Sequence, residues 1–310
     1  MKILVLGGAG YIGSVLTSYL LGKYYDVTVI DNNFYNQNSL DHLFLFKNFD
    51  YIDLDITEKK ELSRVIKNFD VVIQLAAIVG APACNKNPNL SNMINLRANY
   101  DIFEIINKDT LLIFPNTNSG YGVSNNDGYC NEDSPLNPIS TYAKDKVEIE
   151  KLFLKRENSI SFRLATVFGT SPRMRLDLLV NDFVYKAFKD RSIVLFEENF
   201  RRNFIHVYDV ALAFDFAITN RKKMLGQIFN LGLSSANLTK LQLCTKIKKF
   251  LPNFEIYTSK NGKDPDKRDY LVSNDKIERL GWMPSRTLDQ GIDELIKFYK
   301  YFKPNNNTNL

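Results

Sequence analysis

The sequence predicts an α/β fold: a doubly wound parallel sheet with helices on both faces, followed by a less regular second half. Three observations predict it. Strand-like and helix-like segments alternate at a short, even rhythm through the first half, as parallel strands joined by crossover helices require. The strand-like segments KILVL, VTVI, VVIQL and LLIF are almost wholly apolar, which suits strands covered on both faces. The glycine pattern GGAGYIG lies directly between the first such run and the first helix-like segment.

The elements follow in order. KILVLGG opens as a buried strand. YIGSVLTSYLLGK carries Ile12, Val15, Leu16, Tyr19 and Leu20 at helical spacing and closes at Gly22. DVTVID is the second strand. TEKKELSRVIKNF reads as a helix capped by Thr57, and DVVIQLAA as a strand. Residues 88 to 107 read as one long amphipathic helix. TLLIFPN is a strand, STYAKDKVEIEKLFLKR a helix and ISFRLATVFG a further strand. Beyond Pro172 come a helix near 176 to 189 and a polar loop at 259 to 269. The tail KPNNNTNL, with residues 304 to 310, reads as disordered.

Composition narrows the function classes. Apolar residues make up 45% of the 310 and charged residues 24%, an ordinary globular balance. The net charge of +5 comes from 40 Lys and Arg against 35 Asp and Glu, with no run of five like charges. A nucleic-acid or membrane-surface role therefore has little support. Cys84, Cys130 and Cys244 show no disulfide or zinc spacing, so we expect reduced thiols, no metal site and a cytoplasmic location. The N-terminal run is too short and glycine-broken for a signal peptide, and no apolar stretch reaches eighteen residues.

GGAGYIG places Gly7, Gly10 and Gly13 at a strand-to-helix turn, with Tyr11 and Ile12 between them. Glycine permits the tight turn and lets a pyrophosphate approach the backbone, where the helix N-terminus offers free N–H groups. Asp31 ends the second strand, eighteen residues past Gly13, and is followed by Asn32 and Asn33. Its carboxylate accepts both ribose hydroxyls of an adenosine and repels a 2′-phosphate, which favours NAD over NADP.

Two further stretches carry chemistry. Thr117 stands in NTNSGYG, where the strand TLLIFPN ends. Tyr142 and Lys146, four apart in TYAKDK, share a helix face. A phenol near pKa 10 is a poor base at neutral pH. A neighbouring ammonium and a positive nicotinamide ring favour the phenolate, which then takes a proton from a sugar hydroxyl as hydride leaves the same carbon.

Together GGAGYIG, Asp31, Leu75-Ala76-Ala77, NTNSGYG, YAKDK and RRNFIHVYDVALAF resemble the extended short-chain dehydrogenase/reductase family, and within it the nucleotide-sugar epimerases and dehydratases. The resemblance implies a Rossmann-type domain at 1–166 with about 203–225, and a smaller C-terminal mixed α/β substrate lobe at 167–202 and 226–303. It implies Thr117, Tyr142 and Lys146 as catalytic residues, with Tyr142 the base and Lys146 on the nicotinamide ribose. It sets Asp55 and Ile56 beside the adenine and Leu75, Ala76 and Ala77 along the cofactor cleft. On the substrate side it implies Val79, Thr117, Thr166, Arg175, Asn181, Arg202 and Arg268. Thr166 replaces an asparagine common in the family's epimerases, and Glu197-Glu198 replaces a glycine-rich turn. Arg163, Arg173 and Arg201 also fall in the half where arginine forks would suit a diphosphate. His206, inside F-I-H-V, reads as structural, and His42 as a surface residue.

The resemblance also bears on the reaction. The family's 4,6-dehydratases carry an acid pair directly after the catalytic threonine, because eliminating water needs a base and an acid. Here Asn118 and Ser119 stand in those positions. The reading is therefore oxidation at C4 without elimination. Its product is either a released 4-keto sugar or, in a UDP-sugar 4-epimerase, the 4-epimer formed on tightly bound NAD. QLAAIVGAPAC and SPRMRLDLLVND are similar to a bacterial branch that builds surface polysaccharides. That branch includes oxidation at C4 of GDP-D-glycero-D-manno-heptose for capsule assembly, and this is the leading expectation. A non-catalytic dinucleotide-binding sensor is the reading from another class, and intact Thr117, Tyr142 and Lys146 speak against it. Members of the family commonly pair through two long helices into a four-helix bundle, so the resemblance implies a homodimer or homotetramer, with segments 88–107 and 141–157 in that place.

Overall fold

The computed structural model describes residues 1–123, 128–259, 268–304 and 308–309. Seven parallel strands form the main sheet in the order Gln227–Leu231, Ser159–Leu164, Leu111–Thr117, Val71–Gln74, Lys2–Leu6, Asp26–Asp31, Phe49–Asp53. The chain runs outward from Lys2–Leu6 in one direction and then returns to that strand's other side. This reversal opens a crevice at the carboxyl ends of Lys2–Leu6 and Val71–Gln74.

The apolar strands dictate burial on both faces. In the first strand Ile3 and Val5 join the core on one side and Leu4 and Leu6 the core on the other, all fully buried. Helix Tyr11–Gly22 inserts Leu16, Leu20 and Leu21 into the first core. Helices Ala98–Ile105 and Thr141–Phe153 cover the second through Ile102, Ile149 and Phe153.

Several local expectations change. Thr57 does not cap the second helix. Its hydroxyl donates to Asp55 Oδ1 at 2.7 Å, and the helix runs Lys59–Val65 with Glu58 at its N-cap. The long helix of residues 88 to 107 ends at Ile105 and contains a π-helical turn, Met93–Arg97. That turn buries the Asn95 amide, which accepts from Ile78 N–H at 2.9 Å and donates to Ile78 C=O at 3.0 Å. The helix near 176 begins at Leu179.

ISFRLATVFG is two strands rather than one. Ser159–Leu164 belongs to the main sheet, and Thr166–Phe168 pairs with Arg201–His206 in a second, three-stranded sheet completed by Asn237–Thr239. Gln227–Leu231, counted above with the smaller lobe, pairs with Ser159–Leu164 at the edge of the main sheet. Ser192–Phe196 with Glu255–Ser259, and Tyr129–Cys130 with Leu271–Val272, form two small parallel pairs. Most of the polar loop at 259 to 269, and of the tail 304 to 310, lies outside the described residues.

His206 is structural: its Nδ1 accepts from the Tyr208 N–H at 3.2 Å and caps helix Val207–Thr219. All three cysteines are buried, and none forms a disulfide among the described residues. No described helix is long and apolar enough to cross a membrane. Among the described residues, no group of three His, Cys, Asp or Glu converges to hold a metal.

Candidate active site

The crevice deepens into a cavity of about 730 Å³. One end is the glycine turn. Gly7 adopts a φ of 82°, and a Cβ there would stand 2.5 Å from the Ala76 amide nitrogen. A Cβ on Gly13 would meet the Gly7 carbonyl oxygen at 2.4 Å. Both contacts are with backbone, so only glycine closes this turn. Helix Tyr11–Gly22 begins at Gly10 with no side-chain cap and no acid in its first turn, which leaves its amides available to an anion.

Asp31 sits at the end of its strand against this turn. Its Oδ2 accepts from the Ala9 N–H and its Oδ1 from the Asn33 N–H, both at 2.9 Å. Burial pushes its carboxyl up, opposed by those two amides and by Arg173. Asn32 donates to Asp55 Oδ2 at 2.8 Å. Tyr11, Ile12, Asn32, Asn33, Asp55, Ile56, Leu75, Ala76 and Ala77 line the same end.

At the other end the main sheet delivers Thr117 and helix Thr141–Phe153 delivers Tyr142 and Lys146 to the cavity wall. Ser140 caps that helix by accepting from the Ala143 N–H at 3.2 Å. Lys146 Nζ donates to the Pro115 carbonyl at 3.2 Å and lies 4.5 Å from the Phe114 ring. Burial lowers its ammonium to about 8. The Tyr142 phenol moves against the expected direction. Burial pushes it up, the nearby Cys84 adds to this, and Arg175 and Arg268 oppose it.

Val79, Thr166, Arg175, Arg202 and Arg268 also border the cavity. Asn181 does not. It is fully buried and braces the fold, accepting from the Gly169 N–H at 3.0 Å and donating to the Arg175 carbonyl at 2.9 Å. Arg163 and Arg201 are engaged elsewhere, in ion pairs with Glu150 and Asp269.

Two further residues, Ser119 and Arg173, stand on the wall. Ser119 accepts from Arg268 and shares a 2.8 Å hydrogen bond with Thr117 Oγ1. Arg173 is 2% exposed, stacks 4.1 Å over the Tyr35 ring, and has no hydrogen-bond partner for Nε or Nη2 among the described residues. The pattern S-P-R-M-R offers no periodicity that would separate Arg173 from Arg175.

The glycine cradle, an uncapped helix end and an acid at the second strand's end fit a dinucleotide. The comparisons agree. A family model, NAD dependent epimerase/dehydratase, matches residues 3–232.

The chain belongs to the NAD dependent epimerase/dehydratase family.

Its cofactor is NAD. A Methanocaldococcus jannaschii protein provisionally named UDP-glucose 4-epimerase is 30% identical over 96% of this chain and 98% of its own length. Among solved structures, the UDP-glucuronic acid 4-epimerase of Bacillus cereus, determined with UDP-glucuronic acid and NAD, superposes with a TM-score of 0.85 at 23% identity. The match covers 97% of this chain and 99% of that one. The dTDP-glucose 4,6-dehydratase of Bacillus anthracis superposes with a TM-score of 0.81 at 24% identity, covering 97% of each chain. The same fold thus serves epimerases and dehydratases, and side chains must separate them.

Proposed function

We propose that this enzyme oxidises C4 of a nucleotide-diphosphate sugar without eliminating water. One observation carries the reading. Thr117, Tyr142 and Lys146 share a cavity wall with the glycine cradle, and no acid follows Thr117. Asn118 is 1% exposed and does not border the cavity. Ser119 does border it, but a hydroxyl neither takes a carbon-bound proton nor protonates a departing hydroxyl readily.

Held by the glycine turn and Asp31, NAD would supply the hydride acceptor for C4 and a positive charge beside the phenol. Tyr142 takes the proton of the C4 hydroxyl. Thr117 hydrogen-bonds the same oxygen, and Lys146 holds positive charge beneath the site. Arg173, Arg175, Arg202 and Arg268 give the cavity a positive lining that suits a diphosphate.

For the sugar, we read GDP-manno-heptose, with release of the 4-keto product for surface polysaccharide. The two stretches that carry this resemblance both border the cavity, through Leu75 to Ala83 and through Arg173, Arg175, Asp177, Leu178, Leu179 and Asp182. The second reading, a UDP-sugar 4-epimerase, is favoured by the 30% identical relative. A homodimer or homotetramer paired through helices 88–105 and 141–153 belongs to the same reading, and sedimentation checks it.

Mass spectrometry of bound nucleotide, followed by incubation with GDP-manno-heptose and with UDP-glucose, tests the reading. Accumulated NADH with a C4 ketone from the GDP-sugar supports the dehydrogenase. A 4-epimer without net change in NAD supports the epimerase. Loss of the C6 hydroxyl, or no turnover of either sugar, overturns oxidation without elimination.

A further inference from the structure

Two of the hydrogen bonds around Thr117 have a direction that the donor chemistry fixes. Arg268 Nη1 donates to Ser119 Oγ, and a guanidinium has no acceptor with which to reverse that bond. The backbone N–H of Ser119 donates to Thr117 Oγ1 at 3.2 Å. Between these two fixed bonds lies the 2.8 Å contact of Ser119 Oγ with Thr117 Oγ1, in which either hydroxyl is able to donate.

Two arrangements exist. If Thr117 donates, Ser119 Oγ accepts twice and its own proton has no acceptor among the described residues. Ser119 is 4% exposed, and a buried hydroxyl proton without a partner is costly. If Ser119 donates, the proton left over is instead that of Thr117, the less buried of the two hydroxyls. Thr117 Oγ1 then accepts from both the Ser119 hydroxyl and the Ser119 amide. Its lone pairs are filled, and its own proton is the one group it has left for the cavity.

We infer that Ser119 is a positioning residue that makes Thr117 an obligate donor to the C4 oxygen of the sugar, with Arg268, which donates only, offering the Ser119 proton no acceptor on its side. The inference rests on the C4-oxidation reading above and deepens it. A donor-only Thr117 stabilises the oxygen as it gains negative charge and takes on carbonyl character. It cannot act as the base, so the hydroxyl proton goes to Tyr142. Balance is kept: the C4 hydride goes to NAD, the proton to Tyr142, and the C4–O single bond becomes C=O. Ser119 thereby uses one of the positions the family's dehydratases give to an acid, and turns it to orientation.

The test uses the purified holoenzyme with GDP-manno-heptose and UDP-glucose, following NADH formation or epimer formation in a single turnover. Ser119→Ala is expected to lower the single-turnover rate about tenfold or more, with bound NAD and sugar-nucleotide affinity unchanged. Ser119→Thr, which restores the hydroxyl, is expected to recover most of the rate. Arg268→Gln, which can accept as well as donate, is expected to reproduce part of the loss at saturating sugar. An unchanged rate in Ser119→Ala overturns the relay. So does a loss that Ser119→Thr fails to recover, or one that comes with loss of bound NAD, since either marks a space-filling role. Thr117→Ala separates the two levels. If it leaves the rate intact, or if the unmodified enzyme oxidises neither sugar, the C4 reading falls and the relay with it. If Thr117→Ala is inactive and Ser119→Ala is not, only the relay falls.

Discussion

Glu150 and Arg163 form a buried ion pair beneath the candidate catalytic helix. Arg163 Nη2 donates to Glu150 Oε1 at 2.8 Å, with the two side chains 4% and 2% exposed. The Ser161 hydroxyl donates to Glu150 Oε2 at 2.7 Å, and Arg163 Nη1 also donates to the Tyr121 hydroxyl at 3.1 Å. The pair ties helix Thr141–Phe153 to strand Ser159–Leu164, eight residues beyond Tyr142. Breaking it leaves a buried guanidinium without its counterion. Glu150→Ala is expected to cost about 3–5 kcal/mol, read as a lower urea midpoint. Glu150→Leu with Arg163→Met is expected to recover much of that loss.

Gly13→Ala tests the cradle. Its methyl would press on the Gly7 carbonyl and on Gly8 Cα, 2.7 Å away, and neither neighbour is able to swing aside. NAD affinity is expected to fall by about a hundredfold or more. The protein should then lose the rise in melting temperature that NAD confers on the parent enzyme. An equal NAD-dependent rise in both proteins would show that the dinucleotide binds elsewhere.

Arg173 is a buried charge with idle donors on the cavity wall. Burial lowers its guanidinium to about 10, with Arg175 pushing the same way. An anion arriving at this wall relieves both costs. Arg173→Met, which keeps the stem over Tyr35, is expected to weaken NAD binding by roughly tenfold to a hundredfold, as for the loss of one charge-assisted hydrogen bond. Calorimetric titration with NAD reads it directly.

Tyr142→Phe removes the proton acceptor and keeps the ring. Turnover is expected to drop by about 10²–10⁴ with NAD still bound. Because burial pushes the phenol up, the protonated form dominates at neutral pH. The wild-type rate should therefore rise with pH. A flat profile through the alkaline range would remove Tyr142 as the base.

Acid should weaken the fold through Glu294. Burial pushes this carboxyl up, but His206, through hydrogen bond and charge, and Thr170 outweigh burial and hold it at about 2 against an ordinary 4.5. The folded value lies below the unfolded one, so the stabilisation is present above about pH 4.5 and is lost as pH falls toward 2. Its size is at most about 2–3 kcal/mol for a side chain 30% exposed. Glu294→Gln is expected to be less stable than the parent at pH 6, with the two melting temperatures converging as pH falls toward 2.

The sequence by itself determined the main sheet, the glycine turn and the acid after the second strand, because these are local facts. Apolar runs, helical spacing and a strand-to-helix glycine pattern each state their structure within about a dozen residues. It also singled out Thr117, Tyr142 and Lys146 as candidates through a recognised pattern, and all three line one cavity.

Tertiary structure decided what lies far apart in the chain. ISFRLATVFG reads as one apolar run, and only the partners of its two ends divide it between sheets. Six arginines look alike in sequence. Packing commits Arg163 to Glu150 and Arg201 to Asp269, and puts the other four on the cavity wall. Asn181 was given a ligand and instead holds a loop. The Ser119 hydroxyl beside Thr117 meets a guanidinium 149 residues away. An electrostatic or hydrogen-bonding role belongs to a pair of groups, and which groups become a pair is settled only when the chain has closed.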